Sequence, residues 1–419
     1  MVDTPSGPDV GTCYPPGLLG VDDAVARLIA LARRKAPDTE VVPLAAAGGR
    51  VLAEDVAAPM PVPPEANSAM DGIAFRHADL PLSGLLPMSQ RIPAGVAPAP
   101  LEPGTAARIF TGAILPSGAD TVAMQENCEF TATTVRLISA PEAGANVRPA
   151  GQDVAQGQAM LARGTRLTAA AVGLAAAAGL YQLKVFRPLR VAILCTGDEL
   201  LEPGEPWRSG AIYNSNRPML THLLQGWGLE VIDLGKVADS RVATEAALLR
   251  AVDAGADVIV STGGVSVGEE DHVRAAVAQA GQLDFWKVAI KPGKPVAVGE
   301  VRGVSFLGLP GNPQSVLVTG LLLARPFLLA RQGQAAVLPV ALPVPAAFSR
   351  RKGGDRREYL RVRFGTGVAG LELTPHPQQS SGALLSAVWA DGLAMLEAGR
   401  AFEVATPLPF LPFSALLAP

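Results

Sequence analysis

Cysteine is scarce in this chain. There are three in 419 residues, Cys13, Cys128 and Cys195, widely separated and with no C-x-x-C pair. That argues against a disulfide framework and a structural thiolate zinc site, and it fits a reducing compartment. Charge is sparse as well, 17% of residues with a net value of −3, so nothing chain-wide draws nucleic acid or a membrane surface. Four histidines, His77, His222, His272 and His376, show no metal-ligand spacing, and H-E-x-x-H does not occur. A histidine zinc centre is disfavoured. The first residues lack the basic start and apolar core of a secretory signal, which makes the cytoplasm the expected location. The longest uncharged apolar stretch, Leu167 to Leu183, is at the short limit for a membrane span. Its Ala and Gly content predicts a packed helix instead, with no membrane partner.

Apolar residues are plentiful at 49%, and 44 glycines with 37 prolines imply many turns. A chain of this length divides into several domains. Asp22 or Asp23 is positioned to cap a helix with apolar positions Val25, Leu28, Ile29 and Ala32, closed by Pro37. From Val41 to Leu161 short apolar runs broken by Pro and Gly predict a β-rich region, and Thr168 to Leu180 returns to helix. After Arg187-Pro188 the pattern becomes regular α/β. Strands are expected at VAILCTG (191), EVIDLG (230), DVIVSTG (257), FWKVAI (285), PVAVGEV (295) and VSFLGL (304). Helices are expected at Arg217 to Trp227, Arg241 to Ala254, Asp271 to Ala280 and Pro313 to Ala330. This alternation predicts a mostly parallel sheet with helices on both faces and a ligand beyond the carboxyl ends of its strands. Pro-bounded β-like runs return from Leu338.

Chemistry concentrates in the strand-end loops. STGGVSVGEED places Gly263 and Gly268 at P-loop spacing, but Glu269, Glu270 and Asp271 follow where Lys and Ser or Thr would stand. Free amides at a helix start attract phosphate, and carboxylates beside them repel it unless a divalent cation lies between. Mg²⁺ is commonly held by one or two carboxylates plus phosphate oxygens. CTGDELLEPGEP adds Asp198 and Glu199, GKVADS adds Asp239, AIKPGKPV adds Lys291 and Lys294, and GLPGNPQS adds Asn312 and Ser315. Each loop alone reads as an ordinary turn; together at successive strand ends they predict a Mg²⁺-assisted pocket for a polyanionic ligand. Asp71 in ANSAMDGIAF and Thr111 in IFTGAILPSGADTV are explained by turn geometry alone. The basic run Arg350, Arg351, Lys352, Arg356, Arg357, Arg361 and Arg363 is expected to be mostly a solvated hairpin, with one or two arginines reaching an anion as planar forks. It lacks the interleaved aromatics of a nucleic-acid binder.

The ordered set NSAMDGIAF, IFTGAILPSGADTV, AGQDVAQG, CTGDELLEPGEP, STGGVSVGEEDH, KVAIKPGKPVAVG and LPGNPQS resembles the MoeA-type molybdopterin molybdenumtransferases, which are similar to the C-terminal region of gephyrin. The resemblance runs from about residue 17 to 405. It implies an α/β plus β multidomain fold and an elongated homodimer. The expected parts are a discontinuous extended linking domain (16–57 and 154–187), a β-rich insertion (58–153), a molybdopterin-binding α/β domain (188–335) and a C-terminal β-barrel-like domain (336–419). The implied reaction inserts molybdenum from molybdate into adenylated molybdopterin, with Mg²⁺-dependent release of AMP.

By the same resemblance the functional acids are Asp71, Glu199, Asp239 and Asp271, with Asp239 and Asp271 as metal ligands and Asp71 approaching from the partner subunit. Thr111, Gly263, Gly264, Ser266 and Gly268 fall in the substrate-binding motifs. Lys291, Lys294, Ser315, Arg361 and Ser381 match positions on the oxyanion side. Other proteins of molybdenum cofactor biosynthesis are implied as partners. The sequence departs from the family at Gln152, where Glu is usual, and at Ile73, where Tyr usually follows MDG. Two alternatives stand beside this reading: adenylation of molybdopterin, whose enzymes resemble the α/β domain alone, and a non-catalytic scaffold.

Overall fold

The computed structural model describes residues 17–264, 272–367 and 370–418. Over these residues the chain forms three six-stranded sheets joined by short two-stranded ribbons. The central sheet has the spatial order Glu230–Val237, Arg190–Thr196, Val258–Thr262, Val304–Leu309, Pro295–Val301, Gly281–Lys287. Its first four strands are parallel and the last two antiparallel, so the mostly parallel sheet expected from the alternating pattern is present.

The continuous apolar runs of these strands follow from burial on both faces. Side chains alternate between the faces. Val191, Ile193 and Cys195 enter a core with helices Val21–Ala32 and Asn216–Gly226, while Ala192 and Leu194 enter a second core with Arg241–Asp253 and His272–Ala280. The segment Pro313–Arg331 is long and apolar enough to cross a membrane, but 94% of its apolar window is buried inside the protein. It is a core helix, interrupted by a π-helical turn at Gly320–Ala324.

Two local expectations are corrected. The apolar stretch from Leu167 is not one helix. Thr168 caps Ala169–Ala177 by accepting the Ala171 amide at 3.2 Å. Gly179, at φ +80°, then ends the helix, and the chain becomes strand Gln182–Phe186, antiparallel to Thr39–Pro43. Asp22 does not cap the first helix, whose N-cap is Gly20. Its carboxylate is taken by the Arg357 guanidinium, in two hydrogen bonds of 2.7 and 2.8 Å.

A second sheet, among residues 72–137, runs Thr121–Met124, Gly72–Phe75, Ala106–Ile109, Leu85–Ile92, Thr134–Leu137, Cys128–Phe130. Gly72 is required there, since a Cβ would lie 1.8 Å from the Ala123 carbonyl oxygen. The third sheet contains Arg357–Gly367, Gly370–Pro375, Gly392–Leu396, Pro407–Pro412 and Leu342–Pro345. Its remaining strand, Ile290–Lys291, comes from the α/β region and runs parallel to Arg357–Glu358. The run FWKVAI, expected as one strand, is thus divided between two sheets. The buried Arg325 donates to Val337, where the chain leaves the α/β core, and to Ala418, where it returns, at 3.1 and 3.0 Å.

At the boundary dipeptide, Arg187 grips Asp257 with two hydrogen bonds of 2.7 and 2.8 Å, and the Arg190 amide adds a third at 2.9 Å. Burial pushes the Asp257 carboxyl up, but the arginine and the amide outweigh it and hold the pKa below the ordinary value. A depressed folded-state pKa means stability present above the unfolded value and lost as pH falls through the folded one. Asp257→Asn is therefore expected to cost about 2 kcal/mol at neutral pH. In urea titrations this difference should be full above about pH 4 and shrink below it.

Candidate functional site

A cavity of about 710 Å³ opens at the carboxyl ends of the parallel strands, where ligands sit in open α/β sheets. Thr196 and Thr262, each the last residue of a central strand, and the Pro310–Pro313 turn after a third strand form its floor. Gly263 and Gly264 turn sharply at φ +84° and +63°. A Cβ on Gly263 would approach the Thr196 carbonyl oxygen at 3.1 Å, so the turn is both left-handed and crowded.

Glu199 lines the cavity and is the one carboxylate to do so among the described residues. Gly197 makes room for it: a Cβ there would lie 2.7 Å from the Glu199 carboxylate. The Glu199 carbonyl accepts the Ile212 amide at 2.8 Å, starting a small parallel ribbon between Leu200–Leu201 and Ile212–Tyr213. Arg217 anchors the base of this ribbon, forking onto Asp233 and reaching Glu202 at 2.7 Å. Ile212 and Tyr213 form an exposed apolar lip to the cavity.

The opposite wall comes from the third sheet and its loops: Arg356, Gln379, Ser380 and Ser381. Gln314 clips the Ser381 loop to the start of the core helix, its amide donating to the Ser381 carbonyl at 2.9 Å and its side chain to Ala383 at 2.8 Å. Arg361 lies behind this wall rather than on it. It is 1% exposed and donates to Ser380 O at 3.2 Å and Ser386 Oγ at 3.1 Å. Burial without a carboxylate partner pushes its guanidinium down to about 10, so it stays charged at neutral pH.

Lys291 and Lys294 both line the cavity from the turn between the strands. Lys291 Nζ donates to Glu358 Oε1 at 2.5 Å, and the second oxygen of Glu358 takes Arg350. Burial raises the Glu358 carboxyl, but Arg350 and Lys291 hold it below its ordinary value. Lys294 makes no ion pair among the described residues. Gly293 lets the turn press against the core helix, where a Cβ would meet the Thr319 methyl at 2.4 Å. Ser315, in the first turn of that helix, is 4% exposed on the cavity floor.

Of the residues expected from sequence, the cavity thus unites Glu199, Gly263, Gly264, Lys291, Lys294, Ser315 and Ser381. Asp239 follows the edge strand and does not line it; its amide donates to Asp198 Oδ1 at 3.2 Å. Ser266, Gly268 and Asp271 lie outside the described residues. Asp71 and Thr111 lie just outside adjacent strands of the second sheet, Gly72–Phe75 and Ala106–Ile109, and line no part of the cavity. They are paired with each other: Asp71 Oδ1 accepts the Thr111 amide at 2.7 Å and its hydroxyl at 2.8 Å. These donors, the amide foremost, hold the Asp71 carboxyl below its ordinary value.

Sequence reasoning missed the segment Ile212–Asn216, all of which lines the cavity. Its signal was the run Asn214-Ser215-Asn216 before a helix, where one capping residue suffices. Asn216 donates to Gly311 O at 2.7 Å, while its buried Oδ1 has no hydrogen-bond partner among the described residues. Arg356 was missed as an individual. The basic run is not a mainly solvated hairpin, because Arg350, Arg356, Arg357 and Arg361 turn inward onto acids or carbonyls.

Family profiles match three consecutive regions: the MoeA N-terminal region (domain I and II) over residues 19–179, a probable molybdopterin binding domain over 192–330, and the MoeA C-terminal region (domain IV) over 343–413. The chain belongs to the MoeA family. Two MoeA relatives, each named molybdopterin molybdenumtransferase, share 42% identity (Haemophilus influenzae, 71% of this chain and 74% of the relative) and 37% identity (Nostoc sp., 87% and 86%). The crystal structure of a molybdopterin biosynthesis MoeA protein from Pyrococcus horikoshii superposes with a TM-score of 0.79 at 26% identity, over 94% of this chain and 100% of that one.

The Asp71–Thr111 pair yields a direct prediction. Thr111→Val removes the hydroxyl donor but keeps the amide, so the Asp71 pKa should rise part of the way toward about 3.9. An NMR titration of the side-chain carboxyl would read the change.

Proposed function

We propose that this protein is a cytoplasmic, homodimeric molybdopterin molybdenumtransferase. It inserts molybdenum from molybdate into adenylated molybdopterin and releases AMP, completing molybdenum cofactor biosynthesis. The observation that carries this reading is the cavity itself. One wall offers strand-end glycines and a carboxylate, and the other offers serines and cations from a separate sheet. The names of relatives similar along most of their length support the same activity.

The Gly263–Gly264 turn, with Ser266 and Gly268, receives the phosphates through backbone amides. Lys294, Lys291, Ser315 and Ser381 receive the oxyanion, with Arg361 holding the Ser380–Ser381 backbone from behind. The bond that breaks is the phosphoanhydride to AMP. Water attacks the phosphorus on the molybdopterin side and forms the new P–O bond, Glu199 accepts its proton, and AMP leaves with the electrons of the broken bond. Among the described residues no three His, Cys, Asp or Glu side chains gather to hold a metal. Magnesium needs only one or two carboxylates beside the ligand's own oxygens, a requirement that the oxygen donors Asp239 and Asp271 would meet. When bound, it supplies charge neutralisation and Lewis-acid polarisation of phosphate oxygens. A homodimer brings Asp71 and Thr111 of the second copy to the cavity. The support for this is that the pair lines no part of its own chain's cavity.

The test supplies adenylated molybdopterin, molybdate and Mg²⁺ and measures AMP and cofactor. Glu199→Gln is expected to keep the fold and slow AMP release on the order of 100-fold. Consumption of ATP and molybdopterin instead would move the assignment to the adenylation step, and no turnover of either would leave a scaffold.

A further inference from the structure

Lys291 stands on the cavity wall with a counter-ion already attached, and the protein builds that counter-ion with care. Glu358 is 4% exposed, yet both its oxygens face cations, Lys291 on one side and Arg350 on the other. No other charged group pairs with it among the described residues. Its strand runs parallel to Ile290–Lys291 with Lys291 opposite Glu358, so backbone register sets the two residues side by side. The main chain leaves space for the carboxylate at Gly354, where a Cβ would lie 3.3 Å from Glu358 Oε1. The Arg356 guanidinium secures the same junction by donating to Ile290 O at 3.2 Å.

A lysine ammonium is a point charge on a flexible stem with three donors. One donor is spent on Glu358, which fixes Nζ and leaves two for a ligand. Glu358 carries one negative charge for two cations, so Lys291 keeps part of its attraction for an oxyanion and gains a fixed direction for its hydrogen bonds. Lys294, three residues further on and without an ion pair among the described residues, adds a further positive charge to the cavity wall.

We propose that Glu358 is a positioning residue for the oxyanion, acting through Lys291. The inference rests on the reading of the cavity as a molybdate site. It assigns to the strand Arg357–Gly367 a role in orienting a side chain that the α/β region lends to the third sheet.

The experiment titrates molybdate into the full-length protein by calorimetry and measures the steady-state dependence of AMP release on molybdate. Glu358→Gln keeps the shape and removes the charge. It should weaken molybdate binding and raise its KM about tenfold, with kcat at saturating molybdate within about twofold. Lys291→Met should weaken binding similarly, and adding Glu358→Gln to it should cause no further loss. Unchanged molybdate affinity in Glu358→Gln overturns the proposal, as do additive effects in the double variant. Should Glu358→Gln fail to fold, Glu358→Asp keeps the charge for Arg350 but shortens the reach to Lys291. The same weakening is expected from it, and unchanged affinity would overturn the proposal equally. Wild-type protein that neither binds molybdate nor releases AMP overturns the functional reading itself, which a wild-type success with an indifferent Glu358 does not.

Discussion

Two residues of backbone pairing, Ile290–Lys291 against Arg357–Glu358, hold the two halves of the cavity in one frame. One wall is built on the central sheet and the other on the third sheet and its loops. Neither wall alone encloses a ligand. The junction is reinforced around its short ladder by Arg357, which forks onto Asp22 of the first helix and reaches Glu397, and by the Gln314 clip to Ser381. Arginines are suited to such joints, because a planar fork satisfies several acceptors at fixed angles.

The same economy governs the loops. Glycines sit where backbone must pass close to something else: Gly197 beside the Glu199 carboxylate, Gly263 beside the Thr196 carbonyl, Gly293 against Thr319. Each close approach serves the cavity, and substitution at any of them would press on a lining or supporting residue rather than on solvent. The site is thus rigid where it is made of glycine. It is adaptable at its lip, where Ile212 and Tyr213 are exposed on a two-residue ribbon.

The central sheet was legible because strands buried on both faces are continuous apolar runs and their intervening helices are regular. Five of the six expected strands are found whole, FWKVAI being the one divided between two sheets, and Glu199, Gly263 and Lys294 announced themselves by chemistry at strand ends. What stayed hidden depends on contacts between segments distant in sequence. Ile290–Lys291 leaves its own sheet for another, which no local pattern records. Asp22 resembles a helix cap, yet its partner is 335 positions away. The strand Leu85–Ile92 carries Pro87 and a register shift between Met88 and Gln90, which breaks the alternation that would mark it. Arg357 and Arg361 look like members of a solvated basic run because their acceptors are supplied by other elements.

Arg325 gives the third sheet an unusual topology. One guanidinium binds both the point where the chain departs, Val337, and the point where it comes back, Ala418. The whole region between them is a closed excursion from the α/β core, with both ends held by one side chain. Trp227 tightens it by donating to Leu416 O at 3.1 Å. The strand lent by the α/β core at Ile290–Lys291, the Arg357–Asp22 fork and the Gln314 clip attach the excursion at further points, so it is fixed along its length as well as at its ends.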